Sequence, residues 1–197
     1  MDKDAPRSEA PREPLVVGLG NPGEDYVDTR HNLGFRVIES LCRTFSVRAD
    51  RLECNALVAE AGSVVLAMPQ TYMNRSGYSV RCLVERRRIE PSSILVVYDE
   101  IDLELGRLRL RSAGGPGGHR GMESIIRNLR TEEIPRLRLG IRPVESEKVP
   151  ENLSDFVLSP FEAEEESVAA DLIDHAVRAC RSWLSGGTDE TMNRFNS

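Results

Sequence analysis

Three polar residues have the types and spacing that acid–base chemistry uses: Asn21 in VVGLGNPGEDYVDTRHN, His31 ten residues further on, and Asp99 in YDEID. An imidazole oriented by a carboxylate acts as a general base, and an asparagine amide donates to a developing oxyanion. His31 is one of only three histidines and lies in a polar loop, off any apolar stripe. Asp99 closes the apolar run Ile94–Tyr98. In α/β sheets the carboxyl ends of the strands border one ligand-binding crevice, which would carry Asp99 to His31. The competing reading of Asp99 is a turn acid that caps local amides. No serine or cysteine sits in a GxSxG elbow and no HExxH pair is present, so water is the inferred nucleophile and no metal is assigned. Asn74 follows PQTYM at an expected helix start, where it either points into the cleft or caps the helix.

Two glycine-rich stretches bear on ligands. Gly18, Gly20 and Gly23 have the GxGxxG spacing after a strand, but Pro22 removes an amide and Glu24–Asp25 put negative charge where a pyrophosphate would lie. A dinucleotide cofactor is therefore rejected in favour of a sharp turn that holds Asn21 in place. The second stretch, SAGGPGGHRGMES, presents backbone amides ahead of His119 at a helix start and lacks the GK[ST] ending of an NTPase loop.

The elements that would carry these groups alternate. Apolar, β-branched runs at Leu15–Leu19, Ala56–Ala61, Val64–Met68, Ile94–Tyr98, Leu108–Arg111 and Leu137–Ile141 read as strands. Helical periodicity runs through Asn32–Phe45, Ser76–Arg88, His119–Leu129 and Glu162–Leu184. The pattern predicts an α/β fold: one domain with a mixed, twisted β-sheet flanked by helices. Asp99–Gly106 is expected to be a turn feeding an antiparallel neighbour. The acids around Glu162–Glu166 suit the start of the last helix, and Gly186–Gly187 its end.

A chain of 197 residues, 40% hydrophobic, suffices for one buried core. Residues 1–13 read as a disordered tail without the apolar stretch of a secretory signal, 14–187 as the catalytic domain, and 188–197 as a polar, frayed tail. No apolar run reaches the roughly 18 residues a membrane span needs, so no membrane partner is expected. Cys42, Cys54, Cys82 and Cys180 are widely spaced and read as buried free thiols in a reducing cytoplasm. The net charge of −6 hides an asymmetry: residues 145–197 carry −8, whereas 107–138 hold eight arginines against three acids. A local basic face is compatible with that distribution, as is a solvated surface.

Taken together, VVGLGNPGEDYVDTRHNLGF at 16–35, MPQTYMNRSG at 68–77, ILVVYDEIDLELGRLRLR at 94–111, GGPGGHRGMESII at 114–126 and RLRLGI at 136–141 resemble the bacterial-type peptidyl-tRNA hydrolases. ACRSWL and the terminal MNRF extend the similarity to the end of the chain. The resemblance implies a cytoplasmic, monomeric hydrolase of translation that binds tRNA and cleaves the ester between peptide and terminal ribose, without cofactor or metal. It implies His31 as the general base, Asp99 as its support and Asn21 as the sensor of the peptide linkage. Tyr26, Tyr72, Asn74 and His119 match positions that contact the tRNA end or the peptide, and Arg111 and Arg138 match positions that hold the 5′ phosphate of the acceptor stem. Arg120 stands where the family commonly has asparagine, and is expected either to contact RNA phosphate or to turn outward. The alternative function is a non-catalytic RNA-binding relative of the same fold, resembling the intron-splicing members.

Overall fold

Valine, leucine and isoleucine run almost unbroken through the central strands because both faces of a parallel sheet are buried. In the computed structural model the described residues are 13–143 and 152–196. The expected N-terminal tail lies outside them except for Glu13, whose carboxylate pairs with Arg87 at 3.3 Å.

The strands are β1 (Leu15–Gly18), β2 (Arg51–Glu53), β3 (Ala56–Ala61), β4 (Val64–Pro69), β5 (Ile94–Glu104), β6 (Leu108–Arg111) and β7 (Arg136–Arg142). They form one sheet in the order β2-β3-β4-β1-β5-β7-β6. β1 is parallel to β4 and β5, and β5 to β7, while the β2–β3, β3–β4 and β6–β7 pairs are antiparallel. The sheet is thus mixed, as the alternation of elements predicts.

Period-two alternation sorts the strand side chains into two cores. Leu15, Val17, Ile94, Val96 and Tyr98 face α2 (Ser76–Arg87) and α3 (Arg120–Leu129). Val16, Leu95, Val97, Leu137 and Leu139 face α1 (Leu33–Thr44) and α5 (Glu166–Phe195). A short helix, α4 (Leu153–Val157), precedes α5.

Four features depart from the sequence reading. β5 runs on to Glu104 with a register shift between Glu100 and Glu104, so Asp99 is interior to a strand rather than at its end, and β6 pairs with β7 instead of β5. β2 has no apolar alternation to announce it, being short and polar; ion pairs Arg51–Glu60 at 2.6 Å and Arg87–Glu53 at 2.7 Å hold it to β3 and α2. Cys54 and Cys82 are not free thiols but a disulfide joining the β2–β3 turn to α2, whereas Cys42 and Cys180 are free and buried. The 28-residue separation and the left-handed turn at Cys54 (φ 52°) conceal that pairing.

The last difference is at the C terminus. Gly187 does break the helical backbone (φ 76°, ψ −171°), yet helix resumes to Phe195 rather than fraying. Thr191 and Phe195 are buried, and the Asn196 amide pairs with both backbone groups of Leu110, accepting at 2.8 Å and donating at 3.0 Å. Asn196 thereby closes part of the exposed edge of β6, where unpaired amides invite association.

One close approach positions the site. The first turn of α1 lies so near the end of β1 and the interior of β5 that a methyl group on Gly34 would collide with the backbone of Leu19 and Val97. Gly34→Ala is expected to cost roughly 1–3 kcal/mol, as overpacking typically does. A thermal or urea melt measures it; a stability unchanged from the parent would mean that α1 is free to shift away.

Candidate active site

A cleft of about 400 Å³ opens at the carboxyl ends of β1 and β5, bounded by α3 and α4. After β1 the chain makes an excursion through 3-10 turns at Glu24–Tyr26 and Arg30–Asn32 before entering α1. No helix opens at the glycines, consistent with rejecting a dinucleotide site. His31 lies in the second turn and Asp99 reaches it from β5: His31 Nδ1 is 2.9 and 3.0 Å from the two carboxylate oxygens. Asp99 is only 3% exposed.

His119, expected to touch substrate, also meets Asp99, its Nε2 lying 3.2 Å from Oδ1. Its Nδ1 accepts the Met122 backbone N–H at 3.2 Å, inside the first turn of α3. An Nδ1 that accepts carries no proton, so the proton of this imidazole is on Nε2 and is donated to Asp99. His31 donates to the same carboxylate from Nδ1, which leaves the lone pair on its Nε2. Since His31 lines the cleft, that lone pair is the base the cleft offers.

Burial pulls the proton affinity of His31 down, but the charge of Asp99 and its hydrogen bond outweigh burial, and the net shift is upward; Arg120 acts downward. For Asp99, burial acts upward and is overcome by the charge of His31 and the bonds from both imidazoles, which hold the carboxyl well below the usual carboxylate range. His31, Asp99 and His119 form the one group of donor atoms, among the described residues, close enough to surround a cation. The tautomers oppose that use. Nδ1 of His31 and Nε2 of His119, the atoms facing Asp99, both carry protons, and Met122 N–H blocks the other tautomer of His119.

Asn21 is buried and rigidly held. Its N–H donates to Asn32 Oδ1 at 2.8 Å, its carbonyl accepts from Asn32 Nδ2 at 3.0 Å, and its own Oδ1 accepts from Met73 N at 2.8 Å. With Oδ1 engaged, the group free to act at the cleft is the Nδ2 donor. Asn74 sits in the 3-10 turn Met73–Arg75, one residue before the Arg75 that caps α2, so it is not the helix cap; it lines the cleft with Tyr72, His119 and Arg120.

Tyr26, Arg111 and Arg138 are not among the cleft walls. Tyr26 stands on the Glu24–Tyr26 turn. Arg111 is exposed on the edge strand β6, and Arg138 on β7 donates from Nε to the buried Glu100 at 2.7 Å. Cross-strand pairing puts Arg109 opposite Arg138 and Arg111 opposite Arg136, a ladder of arginines beyond β5.

Several supporting residues have roles that sequence reasoning misses. Arg30, 3% exposed, precedes His31 and binds Ser159 Oγ at 2.6 Å, the Pro160 carbonyl and Glu165 at 2.5 Å, beneath the Phe156 ring. It therefore ties the His31 turn to the segment carrying α4, whose Leu153, Ser154 and Val157 form a wall of the cleft. Arg136 is the second: its guanidinium binds the carbonyls of Gly114, Gly115 and Glu132, fixing the glycine loop. The one sequence signal for Arg30 and Asn32 is their adjacency to His31 in a polar triplet ahead of an apolar helix.

A family model described as peptidyl-tRNA hydrolase matches residues 15–197. The peptidyl-tRNA hydrolase of Aquifex aeolicus is 48% identical over 187 residues, 92% of this chain and 95% of its own. That of Moorella thermoacetica is 45% identical over 188 residues, 92% of this chain and 97% of its own. The crystal structure of peptidyl-tRNA hydrolase from Acinetobacter baumannii superimposes with a TM-score of 0.85 at 34% identity, covering 96% of this chain and 98% of that one.

The electrostatics of the pair make a checkable statement. Imidazole resonances followed by NMR should titrate for His31 above the ordinary histidine value of about 6.5. In Asp99→Asn the burial remains while the charge is lost, so the His31 titration should move down. A midpoint that does not move on this substitution would mean that Asp99 does not support His31.

Proposed function

The chain belongs to the peptidyl-tRNA hydrolase family, and from that membership we propose that His31 activates water against the ester joining a peptide to the terminal ribose of tRNA. The enzyme is a carboxylic ester hydrolase that releases tRNA for reuse in translation. The observation that carries the residue assignment is the His31 Nδ1 bond to Asp99, which leaves Nε2 unprotonated toward the cleft.

In this reading His31 Nε2 takes a proton as water oxygen bonds to the ester carbonyl carbon. The Nδ2 of Asn21, held by the Met73 N–H on its Oδ1, donates to the peptide carbonyl or to the oxyanion that forms. Collapse of the tetrahedral intermediate breaks the bond to the ribose oxygen, which recovers the proton from imidazolium His31. Asp99 stabilises that imidazolium, and His119 keeps Asp99 in place. The products are a peptide with a free carboxylate and a tRNA with a free hydroxyl. An ester is activated enough that these parts suffice.

On the nucleic-acid side, Arg111 and Arg138 are proposed to meet the 5′ phosphate of the acceptor stem, since guanidinium suits bidentate phosphate contact. Arg138 can do so through its Nη groups while its Nε stays with Glu100. Tyr26, Tyr72 and Asn74 are assigned to the unpaired end and the peptide, with Tyr72 offering an exposed ring. No helix among the described residues is long and apolar enough to cross a membrane. The proposed location is the cytoplasm and the proposed state a monomer, both resting on the family membership. A reducing compartment would favour opening of the Cys54–Cys82 bond. The non-catalytic, intron-splicing-like reading is not favoured, because binding alone has no use for a supported base.

The test is release of deacylated tRNA from N-acetyl-aminoacyl-tRNA in EDTA, beside the unblocked aminoacyl-tRNA. The blocked substrate should be cleaved preferentially, and His31→Ala should lower kcat/KM by roughly 10²–10⁴-fold, the usual worth of a general base. Tight tRNA binding without cleavage by the parent protein would instead establish the binding reading.

A further inference from the structure

A second cavity, about 260 Å³, adjoins the cleft and is lined by Asn74, Arg120, Glu123, Ser124 and Arg127. It shares Asn74 and Arg120 with the cleft, so the two are neighbours. Arg120 and Arg127 lie seven residues apart, two turns along one face of α3, and α2 crosses that helix where Gly77 meets Ser124. Both arginines are exposed and neither makes an ion pair or a side-chain hydrogen bond among the described residues. Most other arginines near the site are already engaged: Arg30 with Glu165, Arg136 with the glycine loop, Arg138 with Glu100. Arg120 also lines the cleft that holds His31 and His119, which sets this cavity beside the reacting centre.

We propose that Arg120 and Arg127 form a subsite for an acidic side chain on the penultimate residue of the peptide, making the enzyme prefer peptidyl-tRNAs that carry Asp or Glu there. This rests on the hydrolase reading above. The ester joins two unlike halves, and they leave the reacting carbonyl in opposite directions. The arginine ladder Arg109, Arg111 and Arg138 lies on the far side of Asp99, on β6 and β7, and suits the phosphates of a stem. The glycine loop held by Arg136 is the connection from the end of β6, which carries part of that ladder, to the start of α3. The peptide half is assigned to the other side, past Asn74, which lines both the cleft and the second cavity. With the last residue of the peptide in the cleft beside Asn21 and His31, the one before it reaches Arg120.

The chemistry of the cavity favours a carboxylate over a phosphate chain. Glu123 stands in the same cavity and offsets one of the two positive charges. A single carboxylate between two guanidinium forks tolerates that neighbour, whereas a run of phosphates is repelled by it. The space lies along α3 beside Asn74 of the 3-10 turn that precedes α2, with buried Ser124 at its base, and its volume of about 260 Å³ is the scale of one side chain.

The experiment uses one tRNA body bearing N-acetyl-Glu-Ala or its isostere N-acetyl-Gln-Ala. The parent protein should cleave the glutamate substrate with kcat/KM about three- to fivefold higher, the scale of an exposed ion pair. That ratio should collapse toward unity in Arg120→Asn and in Arg127→Gln, and should shrink as salt is raised. Equal rates on the two substrates by an active parent protein overturn the subsite and leave the hydrolase reading intact. Cleavage of neither substrate overturns the hydrolase reading itself. If either variant raises KM equally for both peptides and weakens inhibition by deacylated tRNA, the arginines hold phosphate and the peptide subsite is wrong.

Discussion

A carboxylate with only 3% of its surface in contact with solvent must be paired or stay neutral, and Asp99 is paired by two imidazoles. Most of the site follows from that requirement. To bring His31 within 2.9 Å, the turn ahead of α1 must sit against the end of β1 and the interior of β5, and only glycine at position 34 allows that approach. To bring His119 within 3.2 Å, the start of α3 must enter from the other side, and a methyl on Gly121 would collide with Met73. Met73 in turn supplies the N–H that holds Asn21. One buried charge thus couples four segments that are distant in sequence, and leaves two groups free toward substrate: the Nε2 of His31 and the Nδ2 of Asn21.

Arginine illustrates why composition is a poor guide to a binding face. Eight arginines crowd residues 107–138, yet they divide by environment. Arg136 is 2% exposed and serves as a scaffold, spending its donors on four backbone carbonyls. Arg138 neutralises Glu100, which at 4% exposure would otherwise be an uncompensated buried charge of the kind that costs roughly 3–5 kcal/mol. Arg109 and Arg111 point outward from alternate positions of β6, and Arg120 and Arg127 from one face of α3. The net charge of −6 therefore says little about either half of the substrate, because the acids of α5 and the free arginines lie on different elements.

Elements with strong periodicity are legible in the sequence: β3 and β6 have the bounds that alternation indicates, and α1, α2 and α3 agree within about a residue. What is illegible depends on partners far along the chain. β2 is polar and exists because Arg51 and Arg87 bind Glu53 and Glu60; nothing in its three residues marks a strand. The end of α5 misleads because Gly186–Gly187 is a strong local stop, and the burial of Phe195 beyond it comes from tertiary contact. At the site, residue type and position alone single out His31, Asp99, Asn21 and Asn74, since each chemistry demands a particular functional group. Arg30 and the second bond of Asp99 to His119 lie out of reach of such reasoning, because both roles depend on segments brought together only by folding.

His31 sits under opposed influences, and that opposition is what makes it usable. The charge and hydrogen bond of Asp99 raise the proton affinity of His31, while burial and Arg120 pull the other way and limit the rise. A general base works best with a proton affinity near the ambient pH, which needs both kinds of neighbour at once. Arg120, which lines the cleft, is therefore part of the electrostatics around His31. A ligand carboxylate placed on Arg120 would cancel some of its downward pull and raise the proton affinity of His31.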